Sequence, residues 1–236
     1  MLNPFSRMEL LYGKEAMERL SVARVAVFGI GGVGGYIVEA LARSGVGELE
    51  LIDHDRVSVS NLNRQIIATQ NTIGLYKTEA ARERILEINP QCRVTVRNCF
   101  FLPENEAEFD FGAYAYVADA VDMVTAKLRL VEKAQEASVP IISSMGAGNK
   151  KHPGQLQVMD IYETSVCPLA RVMRKECRKR GIEHLKVVCS GEEPVLSGDS
   201  GEITAAGRPV PGSVVFVPAV AGFLMAGEII NDLTKD

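Results

Sequence analysis

An α/β protein on a doubly wound, mostly parallel sheet is the fold class this sequence predicts, and three observations carry it. Short β-branched runs alternate with amphipathic stretches over the first 145 residues. The first run ends in a glycine-rich turn that opens into a helical pattern. The composition, 47% apolar and 24% charged over 236 residues at net charge −4, suits one large globular domain.

Arg24–Gly29 (RVAVFG) reads as a buried strand stopped by glycine. Val33–Ser44 follows as a helix, with Val33, Ile37, Ala40 and Leu41 at helical spacing. Glu48–Ile52 is the second strand. Lys77–Asn89 is an amphipathic helix that turns Ala80, Ala81, Ile85 and Ile88 inward and stops at Pro90. Cys92–Arg97 alternates as a strand does. Ala115–Ala118 leads to Asp119 and Asp122, Thr125–Ala137 is a helix, and Val139–Ser144 (VPIISS) is again a buried strand. Gln155–Ile161 reads as a strand that extends the sheet in antiparallel or mixed fashion. From about Ser165 to Pro211 the pattern weakens, and 190–212, rich in Gly, Ser and Pro, reads as a loop. The chain is thus expected to form a single domain over 1–236. Its half 1–150 binds nucleotide, and its half 151–236 serves substrate and dimer contacts.

Several classes are excluded by composition. The chain is neither disordered nor collagen-like, and its acidic balance is not that of a uniformly basic nucleic-acid binder. The five cysteines are odd in number and form no C-x-x-C pair, so neither a disulfide framework nor a zinc site is expected. No secretory h-region stands at the start, and a cytoplasmic location fits. Val214–Gly227 is apolar for 14 residues and contains Pro218, short of the roughly 20 residues of a bilayer span. With its continuation to Ile230 it reads as a core or dimer helix.

Gly29-Ile30-Gly31-Gly32-Val33-Gly34 matches G-x-G-x-x-G between a strand and a helix. One glycine makes the tight turn, one lets phosphates approach the backbone, and one lets helix pack on strand. The helix N-terminus then offers free N–H groups and partial positive charge to an anion. Asp53 ends the next strand, 19 residues after Gly34, where a carboxylate accepts from ribose hydroxyls. Taken alone, this Rossmann-like turn favours NAD. The dense polar run that follows, Asp53, Asp55, Ser58, Asn61, Asn63, Arg64 and Gln65, has no role in hydride transfer. Arg64 and Lys77 instead supply cations near the phosphates, and Asp119 and Asp122 stand at the end of a later strand. Two cations and a carboxylate able to hold Mg²⁺ constitute a site for phosphoryl or nucleotidyl transfer.

GIGGVG, then D-x-D-x-V-x-x-S-N-x-N-R-Q from Asp53 to Gln65, G-x-x-K ending at Lys77, and D-A-x-D ending at Asp122 together resemble the adenylating enzymes of the ThiF/MoeB/HesA, ubiquitin-activating-like superfamily. The resemblance covers nearly the whole chain, and it implies ATP as cofactor. Asp53 would hold the ribose, Arg64 and Lys77 the phosphates, and Asp122 would bind Mg²⁺ or aid adenylation. Gly29, Gly31, Gly32, Gly34, Asp55, Asn61 and Gln65 complete the implied nucleotide site. Arg7 matches an arginine that reaches into the partner protomer, which implies a homodimer. The two C-x-x-C zinc pairs usual in the thiamine and molybdopterin members are missing here. Ile141–Lys150 (IISSMGAGNK) and Thr164–Leu169 (TSVCPL) are similar to the branch that dehydrates threonylcarbamoyladenosine in tRNA to a cyclic form.

One segment speaks to a nucleic-acid partner. Ser165–Lys186 carries seven Lys and Arg against two Glu, a net +5 in an acidic chain. Arg171, Arg174, Lys175, Arg178 and Lys179 make up its core, and steps of three and four put Arg171, Arg174, Lys175 and Arg178 on one helical face. A solvated face explains such a run equally well on charge alone. Cys167, followed by Pro168, reads as a packed or exposed thiol rather than a nucleophile. His54, His152 and His184 show no metal spacing. Three other readings stay open: activation of a ubiquitin-like sulfur carrier, with its sulfur-pathway partners; a nucleotide sensor; and an NAD-linked oxidoreductase.

Overall fold

The computed structural model describes residues 3–195 and 210–235, so most of the expected 190–212 loop lies outside the described residues. Seven strands form one sheet in the order β3-β2-β1-β4-β5-β7-β6. They are β1 (Arg24–Phe28), β2 (Glu48–Ile52), β3 (Arg93–Arg97), β4 (Tyr116–Asp119), β5 (Ile141–Ser144), β6 (Leu156–Asp160) and β7 (Lys186–Ser190). Every pairing is parallel except β6 with β7. The alternating first half of the chain dictates this, because a parallel strand needs a crossover and the amphipathic stretches supply it.

The helices between the strands are α3 (Gly34–Arg43), α4 (Lys77–Ile88) and α5 (Val124–Glu136). Ile37 and Leu41 of α3 and Ala81 of α4 are fully buried against the sheet, as their spacing predicts. Fully burying a side chain such as Ile37 or Leu41 contributes about 1.5–3 kcal/mol. The strand order reverses between β1 and β4, and in such sheets ligands bind at that crevice, outside the carboxyl ends of the strands.

Five elements depart from the sequence reading or extend it. At the N-terminus stand two short helices, α1 (Ser6–Tyr12) and α2 (Lys14–Val22). In the weak 165–211 region the chain forms α6 (Pro168–Lys179) and β7. The strand KVVCS at β7 was masked by the basic residues before it, yet four of its five residues are buried. The apolar C-terminal stretch is longer than expected: α7 runs from Phe216 to Thr234 over 19 residues. By length and mean hydropathy (1.4) α7 is long enough to cross a bilayer, but half of its most apolar window is buried inside the protein. Gly222 shows why α7 packs where it does, since a Cβ there would lie 2.5 Å from the Val33 carbonyl oxygen.

Candidate active site

A cleft of about 540 Å³ opens at the β1/β4 switch point. Gly29, Gly31 and Gly32 line it together with Asp53, Asp55, Asn61, Arg64, Gln65, Lys77 and Asp122. Residues spread over nearly a hundred positions of the chain are therefore gathered in one concavity. Gly34 does not line it. Its part is structural: a Cβ at Gly34 would sit 1.7 Å from the Gly29 carbonyl oxygen. Gly29 itself has φ +87°, and a Cβ there would meet the Ala120 carbonyl oxygen at 2.7 Å. At Gly31, by contrast, a Cβ would touch only Gln65 Nε2, at 3.7 Å, so this position is left open toward the cleft.

Asp53 ends β2 and is buried. Its Oδ2 accepts the Ile30 amide (2.7 Å) and its Oδ1 the Asp55 amide (2.8 Å). The carboxylate thus pins the glycine turn, and each oxygen keeps acceptor capacity for a further donor. Asn61 is buried, and its Oδ1 accepts the Ser58 amide at 3.1 Å, which shapes the polar run into a short 3₁₀ turn. Arg64 Nη1 donates to the Ser60 carbonyl (2.7 Å) and to Asn63 Oδ1 (2.9 Å). Its Cγ lies 3.9 Å from where a Gly32 Cβ would stand, so its aliphatic stem flanks the glycine turn. Lys77 opens α4; its stem is buried and its Nζ pairs with Asp55 Oδ2 at 2.6 Å. His54 Nε2 lies 2.9 Å from Asp55 Oδ1, and the His54 ring stacks on Phe100 at the cleft wall. Buried Gln65 has an Oε1 with no hydrogen-bond partner among the described residues, an acceptor in the cleft wall.

The two acids after β4 part company. Asp122 is exposed at the cleft, and its carboxylate pairs with nothing among the described residues. A single free carboxylate beside a triphosphate fits Mg²⁺, which is commonly held by one or two carboxylates plus phosphates and water. Asp119 is not a ligand group. It is fully buried, pairs with Lys127 Nζ at 2.9 Å, accepts from Ser143 Oγ and takes the Val121 amide at 3.2 Å. Lys127 is equally buried. Removing one partner of such a pair costs about 3–5 kcal/mol. The sequence reading missed Lys127 because one lysine on a helix reads as solvated. Its only signal is that it shares a helical face with buried Leu130, Val131 and Ala134.

The basic helix is narrower than its sequence suggests. Ala170, Met173 and Cys177 face inward. Arg174 is not on the free face with its neighbours, because its Nη1 donates to the Thr164 carbonyl (2.6 Å) and to the Thr164 hydroxyl. Lys179 pairs with Glu176 at 2.7 Å, and Arg178 lies 5.1 Å over the Tyr162 ring. Arg171, Lys175 and Arg178 remain exposed, at steps of four and three along one stripe. Leu169, at the start of α6, lines the cleft. Arg7 is exposed on α1, which buries none of its residues. Cys167, the residue before α6, is buried. The neighbouring Cys189 thiol and the amides of Ala170, Gly146 and Leu169 favour its thiolate, which against the cost of burial pulls its thiol down to about 5. Cys189 is pushed well above the usual thiol range by the same contact and by burial.

A glycine turn at a sheet switch point, flanked by two cations and a free carboxylate, defines a nucleotide-dependent group-transfer protein rather than a hydride-transfer one. The chain belongs to the ThiF family, whose match spans residues 5–236. It is 42% identical over 247 residues to the tRNA threonylcarbamoyladenosine dehydratase of Bacillus subtilis (strain 168), covering 100% of this chain and 96% of that one. Over 98% of this chain and 93% of the other, it superposes on the crystal structure of E. coli tRNA N6-threonylcarbamoyladenosine dehydratase in complex with ATP, at a TM-score of 0.88 and 36% identity. To the molybdopterin-synthase adenylyltransferase of Salmonella typhimurium (strain LT2) it is 34% identical over 215 residues, 87% of this chain and 83% of that one.

Proposed function

We propose that this protein uses ATP to adenylate the threonyl carboxylate of threonylcarbamoyladenosine in tRNA and then closes the side chain into a ring, with net loss of water. The observation that supports this reading is that Arg64, Lys77 and Asp122 line one cleft with the glycine turn. Residues 1–150 hold the nucleotide, with the ribose on Asp53 and the phosphates over Gly31 and Gly32. Residues 151–236 receive the tRNA and form contacts with a second copy of the chain. Arg7 of that copy reaches toward the phosphates in a homodimer working in the cytoplasm, without zinc.

The carboxylate oxygen attacks the α-phosphorus, and pyrophosphate leaves with the bridging oxygen. Arg64 and Lys77 stabilise the charge that grows on the phosphoryl oxygens, where fixed cations contribute most. Asp122 would hold the Mg²⁺ that shares this charge. The acyl-adenylate has a good leaving group where the free acid had none. The neighbouring carbamoyl group then attacks the acyl carbon and AMP departs with the carboxylate oxygen. Proximity replaces a strong nucleophile in this step, since effective molarities for such closures reach about 10⁵ M or more. No protein thioester is needed, which fits a Cys167 buried behind Gly146.

The α6 stripe of Arg171, Lys175 and Arg178 takes the RNA backbone, with Arg174 and Lys179 shaping and buffering it. Mass spectrometry of tRNA nucleosides after incubation with protein and ATP tests the reading. The dehydrated nucleoside, formed with one AMP per turnover, is expected. Pyrophosphate exchange stimulated by a small protein ending in Gly-Gly, and not by the modified tRNA, would replace the tRNA with a carrier.

A further inference from the structure

The backbone that carries Asp122 is held from below by groups that nothing in the proposed chemistry uses. β4 ends at Asp119, and the Ala120 amide donates to the Phe28 carbonyl (2.8 Å), continuing the strand one step toward the glycine turn. Ala120 also packs against Gly29 so closely that no side chain fits between them. Beyond this point the ladder stops, and Val121 has neither strand nor helix to satisfy it. Asp119 Oδ1 takes its amide (3.2 Å), and Lys127 Nζ donates to its carbonyl (3.0 Å). The two side chains are then joined to each other at 2.9 Å, and Ser143 on β5 donates to the shared Asp119 oxygen. All three residues are fully buried. Both polar groups of one peptide residue are therefore gripped by one charge pair, directly before an aspartate that is itself free.

We propose that Lys127, together with Asp119, is a positioning residue of the adenylation centre: the pair fixes the Val121 backbone and so sets where the Asp122 carboxylate enters the cleft. Stability alone does not call for ions here. Replacing a buried pair by apolar groups of similar volume is often neutral or stabilising, whereas geometry is lost. A free carboxylate on a turn would otherwise sample many positions, and a misplacement of about 1 Å at a reacting centre can cost on the order of 100-fold in rate. Ser143 belongs to the same device, since it orients the carboxylate that holds the Val121 amide.

The inference rests on the adenylating role proposed for Asp122, and the experiment separates the two. Asp119→Leu/Lys127→Met, Lys127→Arg, Ser143→Ala and Asp122→Ala are compared in full-length protein for Tm and for steady-state pyrophosphate release with ATP and tRNA carrying threonylcarbamoyladenosine. The double variant is expected to melt within about 3 °C of wild type. Its kcat should fall about 10- to 100-fold while KM for ATP stays within about threefold. Lys127→Arg, which keeps a donor, should recover part of kcat. A folded double variant with wild-type kcat overturns the positioning role while leaving Asp122 in place. Wild-type kcat in Asp122→Ala removes the role of Asp122 and this inference with it. Should the double variant fail to fold, Ser143→Ala decides: lower kcat at unchanged Tm supports the proposal, and unchanged kcat overturns it.

Discussion

Gly31→Ala separates what the glycine turn does for the fold from what it does for the ligand. In the free protein the added methyl would meet a single atom within 4 Å, Gln65 Nε2 at 3.7 Å, an ordinary contact. Gly31 is not among the glycines with positive φ, so alanine suits its backbone. Such a substitution is expected to leave stability unchanged or to raise it by about 0.4–1 kcal/mol, because the unfolded chain loses freedom. The ligand experiences the opposite. A phosphate oxygen bonded to a backbone amide sits about 2.9 Å from the nitrogen, while a methyl carbon keeps other heavy atoms at about 3.5–4 Å. The phosphate must back away, and one or two charge-assisted bonds of about 1.5–3 kcal/mol each are lost. ATP affinity should therefore fall by roughly 10-fold to over 100-fold. Calorimetric titration with ATP, paired with a thermal melt, reads both quantities. Gly34→Ala is the control: with a Cβ 1.7 Å from the Gly29 oxygen, it should lower Tm as well as affinity. A Gly31→Ala protein that binds ATP as wild type does would refute the placement of phosphates on this turn.

Arg64→Ala and Lys77→Ala should each reduce AMP formation by about 100-fold or more while the protein stays folded, checked by nucleotide chromatography and circular dichroism. Neutralising Arg171, Lys175 and Arg178 together should weaken binding of modified tRNA and flatten its logarithmic salt slope by about 2 to 3, measured by filter binding across salt concentrations. An unchanged slope would make α6 a solvated face. The Cys167–Cys189 pair predicts an unusual stability profile. With the Cys167 thiol held below its ordinary value of 9.0 by its contact with Cys189 and by backbone amides, the folded protein releases a proton earlier than the unfolded chain, so stability should rise with pH as the pH climbs toward 9. Above that range Cys189 keeps a proton the unfolded chain has lost, and stability should fall again. Urea melts of wild type and Cys167→Ser at several pH values read this, and equal slopes in the two proteins would refute the thiolate. The Ser variant should keep full dehydration activity.

What was legible in the sequence follows from how many readings each residue type allows. Glycines at 29, 31, 32 and 34 between a strand and a helix admit one economical explanation, and each serves a distinct steric end. The parallel half of the sheet was legible because β-branched runs and amphipathic helices alternate without interruption. The second half was not, because the cations that decorate α6 obscured the period of its buried residues Ala170, Met173 and Cys177. Charge itself was the least readable signal. Arg174, Lys127 and Asp119 look like surface charges in one dimension, and each is instead spent on a backbone group or a buried partner. A hydrogen bond to a carbonyl ten residues away leaves no trace in composition or spacing.

In the proposed reaction, two strand ends and a helix start supply the groups gathered in this cleft. Lys77 stands at the first turn of α4 with its side chain 8% exposed and Asp55 on its tip, so its ammonium, proposed to meet the triphosphate, is ordered by the fold itself. Asp55 is itself half exposed and can keep its place as counter-ion while the ammonium turns part of its hydrogen bonding to a phosphate oxygen. Ordering a free lysine would cost up to about 2 kcal/mol of rotamer entropy at the moment of binding. In this cleft that cost is met on folding, as it is for the glycine turn pinned by Asp53 and the Val121 backbone gripped by Asp119 and Lys127. Asp55 and Asp119 thus act on the machinery alone and Asp53 orders the turn it also serves, while Asp122, unpaired among the described residues, is the carboxylate left for a metal ion in the proposed reaction.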